Sequence, residues 1–306
     1  MSILDQLNPP SLNLLDHQEL RELGKSGVRV PAIGIGTWRY HGGVEPLQAG
    51  LALGALFIDT AESYGNEDMV AKAIQGKRNE VFLATKVSPG HFRYPDVIQA
   101  ADRSLKRLRT DRIDLYQLHW PNHTVPIEET MRAMEELVDQ GKIRSIGVSN
   151  FVGRDLVNAQ KALTKHKIAA NQVRYNLIDR TIESGLLEYC RQQSITVIAH
   201  SPLSNTLQTI REHDPKNVLE GIAREKSASV AQVAINWCAL QRDVLVIPKS
   251  NSVQHVEENC RALDFRLSPQ EIETLNTEVR FHRRGMLETE ARRLARYVSQ
   301  RLGRGL

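Results

Sequence analysis

The chain has 306 residues, 41% hydrophobic and 25% charged, with a mean hydropathy of −0.37. That length suffices for one large domain with a full core, and the composition is that of a folded soluble protein, not a disordered or membrane one. The formal charge of +4 sits at one end: residues 280–306 carry eight Arg against Glu288 and Glu290, while residues 1–279 carry 32 basic and 34 acidic side chains. A main body that is slightly acidic removes the electrostatic motive for binding nucleic acid.

Three cysteines, Cys190, Cys238 and Cys260, are odd in number and far apart. Neither a disulfide framework nor a structural zinc site is expected, and a reducing compartment fits. The N-terminus lacks the basic start and apolar run of a signal peptide, and no stretch is long enough to span a bilayer. A cytoplasmic protein with no membrane partner is the expectation.

In chain order, residues 1–17 read as an N-terminal arm. RELGKSGVRVP then offers two extended pieces about Lys25-Ser26-Gly27, a hairpin suited to closing the bottom of a barrel. β-Branched and apolar runs follow at Ala32 to Gly36, Leu56 to Asp59, Val81 to Lys86, Ile113 to His119, Ile143 to Ser149, Ile168 to Val173, Ile195 to His200 and Val244 to Pro248. Between them apolar residues recur at helical spacing, as in Val97, Ala101, Leu105 and Leu108, or Met131, Met134, Leu137 and Val138. Strands that alternate with helices predict βαβ units. Eight of them in one chain predict a (β/α)8 TIM barrel over residues 18–279, with an N-terminal β-hairpin and extra C-terminal helices. There is no linker, low-complexity run or solenoid repeat, so the barrel is one domain.

Residues 280–306 form a basic segment predicted to be helical. Leu287, Ala291, Leu294, Val298 and Leu302 recur on one side, with Arg292, Arg293, Arg296 and Arg301 elsewhere around it. A helix packed on the barrel or beside its mouth is expected, an oligomer contact comes second, and membrane or nucleic-acid binding last. The protein is expected to be a monomer or a weak homo-oligomer.

In such a barrel the active site lies at the C-terminal ends of the strands. There the second strand ends in Asp59, followed by Tyr64; the third ends in Lys86 and the fourth in His119. A phenol titrates near pH 10 and is a poor proton donor at neutrality unless a neighbouring cation lowers that value, a role open to Lys86. Asp59 would orient the ammonium, and His119 would donate to a substrate oxygen or join a proton relay. The set suits carbonyl reduction, in which hydride reaches carbon and a proton reaches oxygen. His119 and His123 are four apart, but Pro121 between them rules out a helical metal pair, and no metal is expected.

The runs IDTAESYGNE at 58–67, ATKV, HWP at 119–121, GKIRSIGVSNF at 141–151 and IPKS at 247–250 together resemble the aldo-keto reductase superfamily, from about Leu23 to about Leu275. The resemblance implies a nicotinamide-dependent oxidoreductase on a barrel, with Tyr64 as general acid/base and Asp59, Lys86 and His119 completing its tetrad. It also implies cofactor contacts. Ser149, Asn150 and Gln172 match positions that hydrogen-bond the carboxamide, and Thr37 and Asp59 match those near the ribose. Ser201 and Leu203 match pyrophosphate contacts, and Glu258 and Asn259 contacts to adenine. His200 stands where a Tyr commonly stacks on the nicotinamide, and His255 where an Arg often clamps the 2′-phosphate.

A Rossmann fingerprint is absent, because Gly34 and Gly36 are followed by Arg39 where a third Gly would be needed. Lys249, Ser250 and Ser252 instead supply a charge and hydroxyls where phosphate would sit. NADPH is the expected cofactor, with NADH as a second. Trp38 and Trp120 resemble the family's aromatic pocket walls, with Tyr40, His41 and residues 122–125 as further lining; Trp237 reads as core. The substrate is expected to be a small carbonyl compound. Two other readings compete: a non-catalytic NADPH-sensing regulatory subunit on the same barrel, and a barrel hydrolase or lyase that needs no nicotinamide.

Overall fold

The computed structural model describes residues 19–301, so the arm expected over 1–17, and Leu302 of the terminal pattern, lie outside the described residues. An antiparallel hairpin of β1 (Leu20–Glu22) and β2 (Arg29–Pro31) comes first. Eight parallel strands follow: β3 (Ile35–Gly36), β4 (Phe57–Asp59), β5 (Phe82–Val87), β6 (Ile113–Leu118), β7 (Ile143–Ser149), β8 (Ile168–Arg174), β9 (Thr196–His200) and β10 (Val244–Ile247), each bonded to the next. The ring closes through a parallel bridge between Ile33 and Val246, with the Gly34 amide donating to the Val246 carbonyl at 2.8 Å and the Gly36 amide to that of Pro248 at 2.9 Å. This is the TIM barrel the sequence predicts. The first barrel strand is shorter than expected: over residues 32–34 the chain bonds Val246 of β10 on one side, while the Ala32 amide turns to the Glu19 carbonyl at 2.8 Å.

The helices are α1 (Glu45–Ala52), α2 (Glu67–Ala73), α3 (Tyr94–Leu108), α4 (Ile127–Asp139), α5 (Arg154–Ala162), α6 (Leu186–Gln192), α7 (Leu207–Glu212), α8 (Val218–Glu225), α9 (Val230–Ala239), α10 (Val253–Cys260), α11 (Pro269–Glu278) and α12 (Met286–Arg301). Local chemistry sets their ends. Ser229 with Gln232, and Ser268 with Glu271 ahead of Pro269, form capping boxes at α9 and α11, each contributing about 1 kcal/mol. In α3, Val97, Ala101, Leu105 and Leu108 form the buried stripe, and Arg109 ends the helix in the left-handed region.

Side chains along each strand alternate between the helical layer and the barrel interior. Inside, Phe57, Phe82, Ala84, Leu115, Ala170, Ile198 and Leu245 form an apolar cluster, joined from below by Leu23 and Val30 of the hairpin region. The hairpin therefore plugs the bottom, as expected. Two residues further along β4, β5, β6 and β8, the same inward period delivers Asp59, Lys86, Gln117 and Gln172. Lys86 pairs in register with Gln117, and Ser149 with Gln172. Gly147 makes room for this layer: a Cβ there would lie 2.8 Å from the Gln117 side chain and 2.9 Å from that of Leu115. All three cysteines are buried, and none is in a disulfide.

The terminal helix α12 does not pack through its apolar side. Leu287, Ala291, Leu294 and Val298 face solvent, and the helix docks through polar side chains. Arg293 reaches Asp155 at 3.2 Å and Glu290 at 2.7 Å. Gln300 accepts from the His123 amide at 3.0 Å and donates to the Pro121 carbonyl at 2.9 Å. Gly153, with φ +52° and ψ −126°, holds a conformation that favours glycine, and the Glu290 carboxylate occupies the space a Cβ would take. Anchored at these points, α12 crosses the loops that follow β6 and β7 and becomes part of the barrel mouth.

Candidate active site

Asp59 closes β4, and Tyr64 sits in the 3-10 turn that follows, Glu62–Tyr64. That turn is tied down by Glu62, whose carboxylate accepts from the Ser88 amide at 2.6 Å and from His91 Nδ1 at 2.9 Å. Lys86, near the end of β5, is fully buried. Its ammonium pairs with Asp59 Oδ1, donates to the Thr60 carbonyl at 2.8 Å, and lies 3.5 Å from the Tyr64 hydroxyl. His119 follows β6, with Nε2 3.4 Å from that hydroxyl and Nδ1 3.4 Å from Ser63 Oγ. The four residues expected to form a tetrad thus converge on one point.

A buried Lys–Asp pair holds its charges only because each has its partner; removing one typically costs about 3–5 kcal/mol. Here Asp59 has further donors on Oδ2, Gln117 Nε2 at 3.0 Å and Gln172 Nε2 at 2.8 Å. The ammonium pKa is raised: burial works against the charge, but Asp59 and Tyr64 together outweigh it. The phenol behaves otherwise. Lys86 does pull the Tyr64 pKa down, as the sequence suggests, but burial raises it more and Asp59 adds to the rise, so the net shift is upward. Tyr64 is therefore protonated at neutral pH. Burial and the Lys86 charge push His119 down to about 3, which keeps its imidazole neutral and takes it out of any relay that needs an imidazolium.

Above this group lies a cavity of about 980 Å³. Of the residues singled out from sequence, Thr37, Trp38, Asp59, Tyr64, His119, Trp120, Ser149, Asn150, Gln172, His200, Ser201, Leu203 and Lys249 line it. Asn150 Nδ2 bonds Ser149 Oγ at 2.9 Å and the His119 carbonyl at 3.2 Å. His200 contacts Asn150 Oδ1 at 3.4 Å and Ser201 Oγ at 3.1 Å. Burial and nearby Lys86 lower its pKa to about 3, so the titratable charge expected of an imidazole at this position does not develop near neutrality. Arg39, Asn150, Ser201 and Ser204, all lining residues, have positive φ, a strain of about 1–3 kcal/mol each that is typical of functional loops.

Other expectations fall outside the cavity wall. Ser250, Ser252, His255, Glu258 and Asn259 lie beyond Lys249 on the loop and on α10, and none lines the cavity. Tyr40 folds into its own loop and donates to the Gly43 carbonyl at 2.8 Å, His41 bonds Asn251, and Asn122 donates to Pro89. Trp237 is core, donating to Asn276 Oδ1 at 3.0 Å. Conversely, Gln117, Glu62 and Asn66 were not singled out. Asn66 accepts from Thr60 Oγ1 at 2.7 Å and donates to the Thr37 carbonyl at 2.8 Å, fixing the loop that carries Thr37. Their signal was a polar residue inside or directly behind an apolar strand. The cavity also has walls that the sequence could not place, namely Arg174, Arg284, Thr289, Arg292 and Arg293. Among the described residues no group of three His, Cys, Asp or Glu is placed to hold a metal, and no helix is long and apolar enough to cross a membrane.

The sequence profile of the aldo/keto reductase family matches residues 32–278. The chain belongs to the aldo-keto reductase family. It is 41% identical over 261 residues to the methylglyoxal reductase YeaE of Escherichia coli, covering 81% of this chain and 91% of that protein. It is 36% identical to a glyoxal reductase of Bacillus subtilis, over 82% and 90% of the two chains. An aldo/keto reductase of Klebsiella pneumoniae, solved with NADP and acetate, superposes with a TM-score of 0.80 at 37% identity, over 88% of this chain and 98% of that one. This aldo-keto reductase is thus an oxidoreductase, and the comparisons lend nothing to a regulatory, hydrolase or lyase reading.

Proposed function

We propose that this aldo-keto reductase reduces small aldehydes or ketones to alcohols with NADPH, and that Tyr64 is the proton donor. The observation that carries the reading is the placement of the Tyr64 hydroxyl between the Lys86 ammonium, at 3.5 Å, and His119 Nε2, at 3.4 Å, at the floor of the cavity. The cavity suits a dinucleotide, since its volume exceeds what a small carbonyl compound needs and its donors are of the right kinds. Asn150, Gln172 and Ser149 offer amide and hydroxyl groups for the carboxamide, with Thr37 and Asp59 toward the ribose. Lys249, Arg174 and Ser201 offer charge and hydroxyl for phosphates. His200 supplies a flat neutral ring for stacking. Burial lowers the Lys249 pKa, a shift that an adjacent phosphate would reverse. Bound there, the cofactor supplies the hydride.

The protein supplies the rest. With Ser63 donating to Nδ1, the proton of neutral His119 sits on Nε2, where it can donate to a carbonyl oxygen. The same oxygen accepts from Tyr64, and as hydride reaches carbon the phenol proton passes to oxygen, leaving a phenolate that Lys86 stabilises and Asp59 keeps in place. Trp38 and Trp120 flank the opening and favour a compact, partly apolar substrate.

Fluorescence titration with NADPH and NADH side by side, followed by turnover with methylglyoxal and glyoxal, tests this. The expected result is tighter binding of NADPH and nicotinamide-dependent reduction. Binding without turnover of any carbonyl would favour a sensor, and activity without nicotinamide would favour a hydrolase or lyase. NADH remains the second cofactor, because the exposed His255 lacks the bidentate grip of Arg on a 2′-phosphate.

A further inference from the structure

Two glutamates flank Tyr64 in the chain, and each reaches across to a neighbour of Lys86. Alternation along β5 turns Lys86 into the barrel and Thr85 out toward the helices, where the Thr85 hydroxyl donates to Glu67 Oε1 at 2.7 Å. Arg107 Nε holds the other oxygen of that carboxylate at 2.7 Å. Just past β5 the Ser88 amide donates to Glu62 Oε1 at 2.6 Å, and His91 Nδ1 meets the same oxygen at 2.9 Å. Both carboxylates are withdrawn from water, the side chains of Glu62 and Glu67 being 7% and 1% exposed. The segment that carries the phenol is thus tied on both sides to the segment that carries the ammonium. The two are not equally firm. Lys86 is fully buried and gripped by Asp59 and the Thr60 carbonyl, whereas Tyr64 stands on a three-residue turn that ends in the left-handed Gly65.

We propose that Glu62 is a positioning residue for the proton transfer: with Tyr64 as the proton donor, a reading on which this role rests, Glu62 and its partner His91 hold the turn so that the phenol oxygen stays in reach of the Lys86 ammonium. That contact, at 3.5 Å, is at the long end of a hydrogen bond, so a small displacement of the turn removes it. Misplacing a reacting group by about 1 Å costs about 10²-fold in rate. The tie works through an acceptor oxygen and needs no charge, because both donors converge on Oε1 and an amide oxygen in that place serves as well. Glu67 shares the task, but its pair with Arg107 also joins α2 to α3. Glu62, bonded to the Ser88 amide and His91, is the one through which the turn can be loosened without unseating a helix.

Single-turnover reduction of methylglyoxal by the NADPH-loaded protein, with NADPH affinity measured by fluorescence on the same samples, tests the proposal. Glu62→Ala should slow the reduction by about 10–100-fold and leave NADPH affinity unchanged, because Glu62 does not line the cavity. Glu62→Gln, which keeps the acceptor oxygen, should return the rate to within about threefold of wild type. His91→Ala removes one donor from a side chain 43% exposed, so the fold is spared, and should slow the reduction about threefold. In a Tyr64→Phe background Glu62→Ala should subtract nothing further, since a residue that acts through the phenol has nothing left to position. A wild-type rate in Glu62→Ala or His91→Ala, a Gln variant no better than Ala, or a further loss in the Tyr64→Phe background would each overturn the proposal and leave the proton donor in place. A wild-type rate in Tyr64→Phe alone would instead overturn the reading of Tyr64.

Discussion

At the scale of single residues, the site works by the competition between burial and charge, and its outcome differs from one group to the next. Burial prevails at Tyr64, which stays protonated, and at His119, which stays neutral; the partners of Lys86 prevail over its burial. A pH dependence follows. A donor acts while it holds its proton, so reduction should persist below the Tyr64 pKa and fall as pH rises through it, above the usual phenol value of about 10. Because His119 titrates at about 3, kcat/KM should show no limb between pH 5 and 8; a limb near the ordinary imidazole value, abolished by His119→Gln, would contradict this. Gln117 gives a second prediction. Gln117→Leu removes a donor from the Asp59 carboxylate and should cost about 1–3 kcal/mol in urea unfolding, with kcat falling about tenfold and KM changing little. Lys86 was legible in the sequence because a lone cation ending an apolar run stands out. Gln117 was not, since beside HWP it read as one more polar residue, and only register shows that it faces Asp59.

At the scale of elements, the alternation of apolar runs and amphipathic stretches was enough to give eight strands in order, because each strand is buried on both sides and so reads as continuous apolar sequence. Helix α12 shows where that logic stops. An amphipathic pattern predicts that the apolar side turns inward, but the groups that orient α12 are Asp155, Pro121 and the space above Gly153, more than a hundred residues away. Burial raises the Asp155 pKa although His123 and Arg293 draw it down, so this carboxyl is costly to keep and its partners matter. Gly153→Ala forces a left-handed φ on alanine and displaces the Glu290 carboxylate. It should release α12, seen as faster tryptic cleavage in 286–301 with the barrel intact, and should raise KM for substrate because Thr289, Arg292 and Arg293 line the cavity. Unchanged cleavage would show that the helix is held elsewhere.

At the scale of the whole molecule, the barrel separates a stability end from a chemical end. The lower interior, with Leu23 and Val30 against Phe57, Phe82 and Leu245, is apolar and lies away from the cavity. Leu23→Ala should therefore cost about 2–5 kcal/mol in thermal or urea unfolding while leaving KM and kcat of the folded enzyme unchanged. The net charge of +4 belongs to the same division: its excess lies in the C-terminal segment, three of whose arginines, Arg284, Arg292 and Arg293, line the cavity opening. The barrel interior meets the chemistry at one atom, the Tyr64 hydroxyl. The most direct measurement is therefore Tyr64→Phe, assayed for NADPH binding by fluorescence and for methylglyoxal reduction in the same preparation. Binding should be retained while turnover falls by about 10²–10⁴-fold; turnover at the wild-type rate would contradict the assignment of Tyr64 as proton donor.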